Sequence, residues 1–447
     1  MEAKNLYVLN GTEDFMRGEL DNVTIQNGQL TLDSVAGRHV LYGCYTSQPV
    51  PFPSFDQLLM SWNADTPSGT VVEAQARVLV DGNWTTWSSF GRWSPFLTTR
   101  ANAKRPPRGP VSVEGNILHL DGKAAMQAQM RIYLYTEDER LSPCVYLLAL
   151  SVRPFAFTVK VPVSRPMQRE LRIPAYSQLL RDPLFQGKIS LPVCLTGLMN
   201  RWGEDVLPEE LAHAMYDWAD RTCSNLTFGV AAAGCWGYES YAAWCDLPHL
   251  REEVRSGFAA AVRLSYPGEY PAPPAVSQCG EGGGHYVNVI GFVSRDGVDY
   301  VLVNDPMAPT NDTAPHAWHL DYFLDVWDGL TLLLHRRREK GGWQKPGRTA
   351  VSLLPCPGSE DLFHLCRAGE VLELSSDFCG SDGVPRGCLG IIRNGEKVYA
   401  TTAHKRVRFV LPQQGCIRLP APSTPPIRYT VFAVNATGHM TVGEVHR

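Results

Sequence analysis

The sequence predicts a multidomain protein in which an α+β domain lies between an N-terminal β-sandwich and a small C-terminal β-rich domain. The chain has 447 residues, more than the roughly 100–200 residues of one ordinary domain. Alternating apolar and polar residues with frequent turn dipeptides mark both ends of the chain, and helical periodicity is confined to the middle. The predicted domains are residues 1–165, 166–335 and 350–447, with a linker at residues 336–349.

Residues 1–165 have the pattern of short β-strands joined by tight turns. In Val71–Val80, apolar side chains occupy the even-numbered positions, and polar residues lie between several of them, as in a strand with one buried face. Met126–Tyr135 repeats this alternation. Asn-Gly or Asp-Gly dipeptides, which favour hairpin turns, follow at residues 27–28, 81–82 and 121–122. Short strands with turns this frequent predict a sandwich.

Tryptophans are concentrated in the same segment, at Trp62, Trp84, Trp87 and Trp93. Exposed aromatic rings stack on sugars or peptides, which would give the β-sandwich a glycan or protein ligand. The alternative is that the rings fill the core and the edges of the sandwich. We favour this alternative, because large apolar rings are ordinarily used for packing.

The middle and the end of the chain differ in pattern. Apolar periodicity predicts helices at Cys194–Trp202, Pro208–Asp220 and Leu250–Arg255, and strands at Ala259–Tyr266, His285–Val293 and Val298–Asn304. An alanine-rich stretch predicts a further helix, and Asn225–Phe228 just before it are expected to line the substrate cleft. The basic run after His335 predicts a solvated linker. Asn394-Gly395 predicts a hairpin in the last segment.

A histidine at the start of a predicted strand, directly after three glycines, is the first candidate for a catalytic group. The two strands that begin at His285 and end at Asn304 would form a hairpin around Ser294–Gly297, which brings His285 close to Asn304 and Asp305. A bulge of one residue would pair His285 with Asp305 directly. An acceptor that holds one ring nitrogen leaves the other for a reacting group, as a general base requires.

Cys194 is the predicted nucleophile. It lies at the predicted start of a helix, after Pro192, where unpaired N–H groups and the helix dipole favour a thiolate. Gln178 precedes it in an extended stretch, and its amide would join the Cys194 N–H in holding an oxyanion. Glycine lets a substrate backbone approach closely. The residues predicted to contact substrate are Gly283, Gly284 and Asn304.

Three pieces of sequence carry a resemblance to a known family. They are YSQ at residues 176–178, the segment from Cys194 to RWG, and GGHYVNVIGF followed by DGVDYVLVNDP. Together they resemble papain-like cysteine peptidases of the bacteriocin-processing type, which cleave after double-glycine leaders, in a stand-alone bacterial form with a preceding β-sandwich. The resemblance covers Ile173–Asp328. The sequence departs from the family pattern at residues 195–197, where LTG follows the cysteine instead of glycine and proline.

The resemblance implies a papain-like α+β fold and a hydrolase that cleaves a peptide or amide bond through a thioester. It implies that Cys194 is the nucleophile, His285 the general base, Asp305 its orienting partner and Gln178 an oxyanion donor. Asn304 is the rival orienting residue, because a one-residue change of register exchanges the two.

Two other functions stay open at this point. An acyl transferase of the transglutaminase type uses cysteine, histidine and aspartate in the same order, although the long separation of Cys194 from His285 argues against it. A peptidase fold with flanking β-domains would also serve a non-catalytic peptide- or glycan-binding protein. An amine acceptor distinguishes the first from hydrolysis, and the absence of any turnover identifies the second.

Composition excludes several other classes. The net charge is −4 with mixed signs, so no nucleic-acid partner is expected. No apolar run approaches the roughly 18 residues of a membrane span, and the first residues lack the apolar core of an export signal, which predicts a cytoplasmic location. The twelve cysteines are scattered and are expected to be reduced. No cofactor or metal is expected, because a zinc set of Cys223, Cys235, His249 and Cys279 lacks close ligand spacing.

Overall fold

The computed structural model describes residues 5–67, 69–95, 111–163, 165–181, 188–203, 206, 208–217, 219–220, 222–266 and 284–335, together with the strands between Arg348 and His446. No helix in these residues is long and apolar enough to cross a membrane. Of the predicted linker, residues 336–347 lie outside the described residues.

The N-terminal domain is β-rich, with a single-turn helix α1 (Thr12–Phe15). Its described strands are β1 (Leu6–Leu9), β2 (Glu19–Asp21), β3 (Val23–Gln26), β4 (Gln29–Leu32), β5 (Ser34–Val35), β6 (Arg38–His39), β7 (Tyr42–Thr46), β8 (Val50–Asp65), β9 (Thr70–Val80), β10 (Asn83–Trp84), β11 (Ser88–Trp93), β12 (Val111–Glu114), β13 (Ile117–Leu120), β14 (Ala125–Thr136) and β15 (Cys144–Pro154). The predicted alternation is observed in β9, where buried and half-buried residues alternate along the whole strand.

Most strands of this domain join into one continuous hydrogen-bonded network, whereas β5 and β6 form a separate two-stranded sheet. The packing of this network as a sandwich stays a prediction. Thirteen described strands form a single sheet whose main path is β10-β9-β14-β8-β15-β4-β3. The cause is the 16-residue strand β8, which pairs with β14 near its beginning and with β15 over the rest of its length.

The four tryptophans divide into two pairs. Trp62 and Trp93 are buried in the core, as the packing interpretation predicts. Trp84 and Trp87 are partly exposed, and the Arg77 guanidinium lies 4.8 and 4.6 Å from the two ring centroids. The glycan or protein ligand of this face stays a prediction.

The central domain combines helices with an antiparallel sheet. Its described elements are strand β16 (Arg169–Glu170), a 3-10 turn (Gln178–Leu180), α2 (Ser190–Asn200), α3 (Pro208–Ala214), α4 (Leu226–Cys235), β17 (Glu239–Trp244), α5 (Leu247–Ser256), β18 (Ala260–Leu264), β19 (His285–Arg295), β20 (Val298–Asn304), β21 (Pro315–His319), α6 (Leu320–Val326) and β22 (Trp327–His335). The sheet order is β17-β22-β18-β19-β20-β21, with β16 beside β19.

Three predictions of element boundaries in this domain are wrong. Helix α2 begins at Ser190, four residues before Cys194, because Pro192 is tolerated within a first helical turn. Helix α3 ends at Ala214, well before Asp220, and a bridge between Asp217 and Thr222 follows it. The hairpin turn is Asp296-Gly297 alone, with φ of 51° and 79°, so Val293 pairs with Tyr300 and not with Val298.

The C-terminal segment is β-rich in its described residues. Its strands are β23 (Arg348–Ala350), β24 (Leu354–Pro355), β25 (Leu362–Cys366), β26 (Val371–Ser376), β27 (Leu389–Arg393), β28 (Glu396–Thr401), β29 (Arg406–Val410), β30 (Gly415–Leu419), β31 (Arg428–Val434) and β32 (Met440–His446). They form two five-stranded sheets, β23-β32-β31-β26-β29 and β24-β25-β30-β27-β28. Strands β27 and β28 pair antiparallel, and the predicted turn Asn394-Gly395 between them lies outside the described residues.

The N-terminal and central domains are packed directly against each other. The ring of Trp62 in β8 meets the ring of Phe228 in α4 edge to face, with centroids 6.1 Å apart. The buried Asn63 amide donates to the Ser240 carbonyl oxygen at 2.8 Å and accepts from the Ser240 N–H at 3.0 Å. A Cβ on Gly234 would lie 2.7 Å from the Asn63 Cβ, so only glycine fits there. The interface therefore combines apolar contact with paired buried polar groups.

A carboxylate between two imidazoles links α5 to the end of β22. The Glu253 carboxylate lies 2.8 Å from His335 Nε2 and 3.7 Å from His249 Nε2. Burial would raise the pKa of Glu253, but hydrogen bonds and charge from the two histidines outweigh it and lower the pKa to about 2. Hydrogen bonds to Cys245 and Glu253 raise the pKa of His249 to about 10.

We expect this cluster to make the stability depend on pH in two directions. Below the ordinary glutamate pKa of 4.5, the free energy of unfolding should fall as Glu253 takes up a proton towards its folded pKa of about 2. Stabilisation from charged His249, fully present below pH 6.5, should be lost as the pH rises towards 10. Urea unfolding from pH 3 to 9 measures both slopes. In Glu253→Gln both should flatten, whereas Glu252→Gln, on the exposed face of the same helix, should retain them. Equal slopes in Glu253→Gln and the wild type would contradict the assignment.

Candidate active site

His285 and Asp305 are in direct contact. His285 is the first residue of β19 and is buried, and its Nε2 lies 2.7 Å from Asp305 Oδ1. The pairing of β19 with β20 shifts by one residue between Val289 and Gly291, so the anticipated bulge is present. Because Asn288 pairs with Asn304, the histidine reaches the aspartate through its side chain and not as a directly opposed residue.

Asp305 is held in place on both its backbone and its side chain. Its N–H donates to the Ala314 carbonyl oxygen at 2.8 Å, and its Oδ1 accepts the Met307 N–H at 2.8 Å. Burial would raise the pKa of Asp305, but the charge and hydrogen bond of His285 and the Met307 N–H outweigh it and keep the pKa below its usual range. Asp305 is therefore ionised at neutral pH and suited to accept a hydrogen bond from the Nε2–H of His285.

The other ring nitrogen of His285 completes the geometry of a general base. Its Nδ1 is buried and has no hydrogen-bond partner among the described residues. A histidine with Nε2 held by a carboxylate and Nδ1 unoccupied can accept a proton from a neighbouring hydroxyl or thiol.

The rival orienting residue, Asn304, is used elsewhere. Its buried amide donates to the Ile173 carbonyl oxygen at 3.3 Å, and it has no recorded contact with His285. It supports the segment that leads to Gln178, and its predicted contact with substrate stays a prediction. Of the two predicted glycines, Gly283 lies outside the described residues. Gly284 has φ of 89°, and a Cβ there would lie 2.7 Å from the Leu264 carbonyl oxygen.

Gln178 connects the His285–Asp305 pair to the start of α2. It opens the 3-10 turn and is buried, and its N–H donates to the Pro306 carbonyl oxygen at 2.8 Å. Its Oε1 accepts the Ile189 N–H at 3.0 Å, and its Nε2 contacts Met307 Sδ. The side chain that was predicted to hold an oxyanion thus lies at the helix start, with its donor group facing a methionine sulfur.

Cys194 lies one turn further along α2 than the sequence predicts. It is the fifth residue of the helix and is buried, and its carbonyl oxygen accepts the Asn288 amide at 2.9 Å. The helix dipole and the unpaired N–H groups therefore do not stabilise a thiolate at Cys194, since the positive end of the helix lies about 6 Å away along the axis. Its role as nucleophile stays a prediction.

A serine that the sequence analysis did not single out occupies the helix start. Ser190 is the first residue of α2 and is fully buried, and its Oγ accepts the N–H of Tyr286, the residue after His285, at 3.3 Å. Pro192 was the available signal, because proline belongs in the first turn of a helix and so indicates a start at or just before residue 191.

Two parts of the chain match known families. Residues 170–332 match the Peptidase_C39 like family. The central domain is therefore similar to this family over most of its length. Residues 6–152 match the Peptidase C39 N-terminal domain, so a domain of the kind that precedes such peptidases lies in front of the C39-like domain. The family indicates a cysteine-peptidase type of hydrolase with a peptide substrate. Both matched segments lie inside the predicted domains 1–165 and 166–335.

Wider comparisons add no argument about the C39-like domain. No curated protein matches the chain. A Paenibacillus sp. cycloisomaltooligosaccharide glucanotransferase complexed with cycloisomaltoheptaose aligns at 9% identity over 94% of this chain and 46% of its own, with a TM-score of 0.17. The complex of plant peptide RALF23 with FER and LLG2 aligns at 9% identity over 100% of this chain and 96% of its own, with a TM-score of 0.16. Dimeric latent PorU from Porphyromonas gingivalis aligns at 8% identity over 99% of this chain and 65% of its own, with a TM-score of 0.11. These TM-scores are too low to indicate a common fold.

The remaining cysteines offer no second centre in the described part of the C39-like domain. Cys223, Cys235 and Cys245 form no disulfide, and Cys279 lies outside the described residues. Burial raises the pKa of Cys235, which makes its thiol unreactive. Among the residues that the structure describes, no three histidine, cysteine or acidic side chains are grouped as metal ligands.

Proposed function

We propose that the C39-like domain hydrolyses a peptide or amide bond through a covalent acyl intermediate, with His285 as general base and Asp305 as its orienting partner. The observation that carries this proposal is the 2.7 Å contact between His285 Nε2 and Asp305 Oδ1, in a domain of a peptidase family. The ionised carboxylate fixes the ring and stabilises the imidazolium that forms when Nδ1 takes a proton.

The reaction requires a nucleophile and a group that stabilises the oxyanion. In the form that the sequence predicts, Cys194 Sγ attacks the carbonyl carbon, a thioester forms, and water releases it. Gln178 would contribute Nε2 to the oxyanion after exchanging its contact with Met307 for the substrate. The resemblance to papain-like peptidases implies that the central domain has their α+β fold. The choice of nucleophile is a separate question, because Ser190 is nearer than Cys194 to the helix start.

Cleavage of peptides by the full-length chain tests the proposal. A proteome-derived peptide library is incubated with wild type and with His285→Ala, and new termini are identified by mass spectrometry. We expect wild type to generate them and His285→Ala to lose at least about 100-fold in rate, because general base catalysis contributes about 10²- to 10⁴-fold. His119→Ala, which removes a partly exposed histidine from β13, is the matched control and should cleave as wild type does.

Three outcomes would count against the proposal. Equal cleavage by wild type and His285→Ala would remove His285 from the mechanism. An added amine that raises turnover and is found in the product would identify acyl transfer instead. Peptide binding without any cleavage would identify a binding protein.

A further inference from the structure

We propose that Ser190 is the nucleophile of this site, so that the acyl intermediate is an ester on a serine and not a thioester on Cys194. This inference rests on the proposed hydrolase function and deepens it. Ser190 is the first residue of α2, and the first i→i−4 bond of the helix joins the Val193 N–H to the Ile189 carbonyl oxygen at 3.0 Å. The first four N–H groups of a helix lie outside its i→i−4 bonds and carry the positive end of its dipole.

Ser190 lies next to the backbone of His285. The Tyr286 N–H donates to Ser190 Oγ at 3.3 Å, which places Oγ at most about 6 Å from the His285 Cα when the two intervening backbone bonds are added. The His285 side chain starts at this Cα and is long enough to bring a ring nitrogen towards Oγ. His285 Nδ1 is buried and has no hydrogen-bond partner among the described residues, which leaves it able to accept the nucleophile's proton.

Gln178 points to the same place. Its Oε1 accepts the N–H of Ile189, the residue directly before Ser190, at 3.0 Å. Its amide group therefore borders the first turn of α2, whose N–H groups are the backbone donors suited to an oxyanion. The segments that carry Gln178 and His285 thus both contact the start of α2, at Ile189 and Ser190.

Cys194 lies deeper in the same helix. Its carbonyl oxygen accepts the Asn288 amide at 2.9 Å, and Asn288 is three residues along β19 from His285. Four residues of helix place it about 6 Å deeper along the axis. Ser190 and Cys194 are both buried, so burial does not distinguish them as candidate nucleophiles. Ser190 lies at the helix start, beside the contacts that Gln178 and Tyr286 make there.

The reaction balances with water as the only co-reactant. The Ser190 hydroxyl proton passes to His285 Nδ1 as Oγ bonds to the carbonyl carbon. The carbon–nitrogen bond then breaks, and the leaving amine takes that proton, which leaves an ester on Ser190. Water gives a proton to His285 and attacks the ester. The acid is released, and Ser190 regains its hydrogen.

Labelling of the full-length chain distinguishes the two nucleophiles. A fluorophosphonate probe, which reacts with activated serines, is applied to wild type, Ser190→Ala, Cys194→Ala and His285→Ala, and the modified peptide is identified by mass spectrometry. We expect modification at Ser190 in wild type and in Cys194→Ala, and at least a 100-fold slower rate in His285→Ala. Peptide cleavage should fall at least 100-fold in Ser190→Ala.

A second variant protects the test against misfolding. Ser190→Cys keeps the size of the side chain, and its new thiol should be alkylated by iodoacetamide below pH 8, more slowly when His285→Ala is added. Absence of fluorophosphonate labelling at Ser190 in wild type would overturn the inference. So would a Cys194→Ala variant that loses cleavage while Ser190→Ala retains it, a result that would leave the hydrolase proposal intact. Cleavage that does not require His285 would overturn both.

Discussion

Replacing Asp305 with asparagine should lower kcat by about 10²- to 10⁴-fold, the range for loss of an oriented general base. Asp305 Oδ1 accepts hydrogen bonds from both the His285 ring and the Met307 N–H. An asparagine in this place would either turn its NH₂ group, a donor, towards these two donors or lose one of the two bonds. The imidazole would then favour the wrong tautomer and lose the charge that stabilises its protonated form. Steady-state rates from pH 5 to 9, with a peptide identified from the library, measure the effect.

The neighbouring residue provides the contrast. Asn304→Ala removes a buried bond to the Ile173 carbonyl oxygen without touching His285. We expect it to lower the melting temperature and to leave the shape of the pH–rate profile unchanged. A profile that changes in Asn304→Ala and not in Asp305→Asn would make Asn304 the orienting residue and would contradict the role given to Asp305.

Replacing Trp62 with alanine should destabilise the protein by about 3–5 kcal/mol, the cost of removing a large aromatic side chain from a packed core. Trp62 is fully buried in β8 and packs on Phe228 of α4, so the cavity would open between two domains. Urea unfolding followed by far-UV circular dichroism measures the change in the free energy of unfolding.

An exposed side chain on the same sheet serves as the matched control. Met126 in β14 is 62% exposed, and Met126→Ala should change the free energy of unfolding by no more than about 0.5 kcal/mol. Equal midpoints for Trp62→Ala and Met126→Ala would show that the ring contributes little to stability. That result would contradict the close packing of the two domains.

Sequence pattern predicted the contact between His285 and Asp305 because strand pairing is a strong local constraint. Two alternating runs around a turn dipeptide bring His285 near Asp305 over a range of registers, so the contact survived a turn that is two residues shorter than predicted. The bulge was expected only as an alternative, since nothing in the sequence of β19 or β20 marks its position.

The start of α2 was harder to predict, and the choice of nucleophile depended on it. Pro192 fits several positions within a first helical turn, so proline alone does not fix which residue begins the helix. The deciding contacts, Tyr286 N–H to Ser190 and Ile189 N–H to Gln178, join residues far apart in the chain or involve backbone groups. Residue chemistry favoured the cysteine, and tertiary structure points to the serine. The continuous N-terminal sheet was missed for a similar reason, because strand β8 pairs with different partners along its length.

The interface at Asn63 bears on how such a protein can change during evolution. The Asn63 amide satisfies the backbone of Ser240 in the peptidase-like domain, and Gly234 leaves room for it. A C39-like domain transferred without its partner would expose Phe228 to water and lose the bonds that Asn63 makes to Ser240. Recombination that exchanges one domain therefore has to carry α4 and β17 in a compatible form. Each domain depends on the other's side of this interface for its own buried polar and apolar contacts.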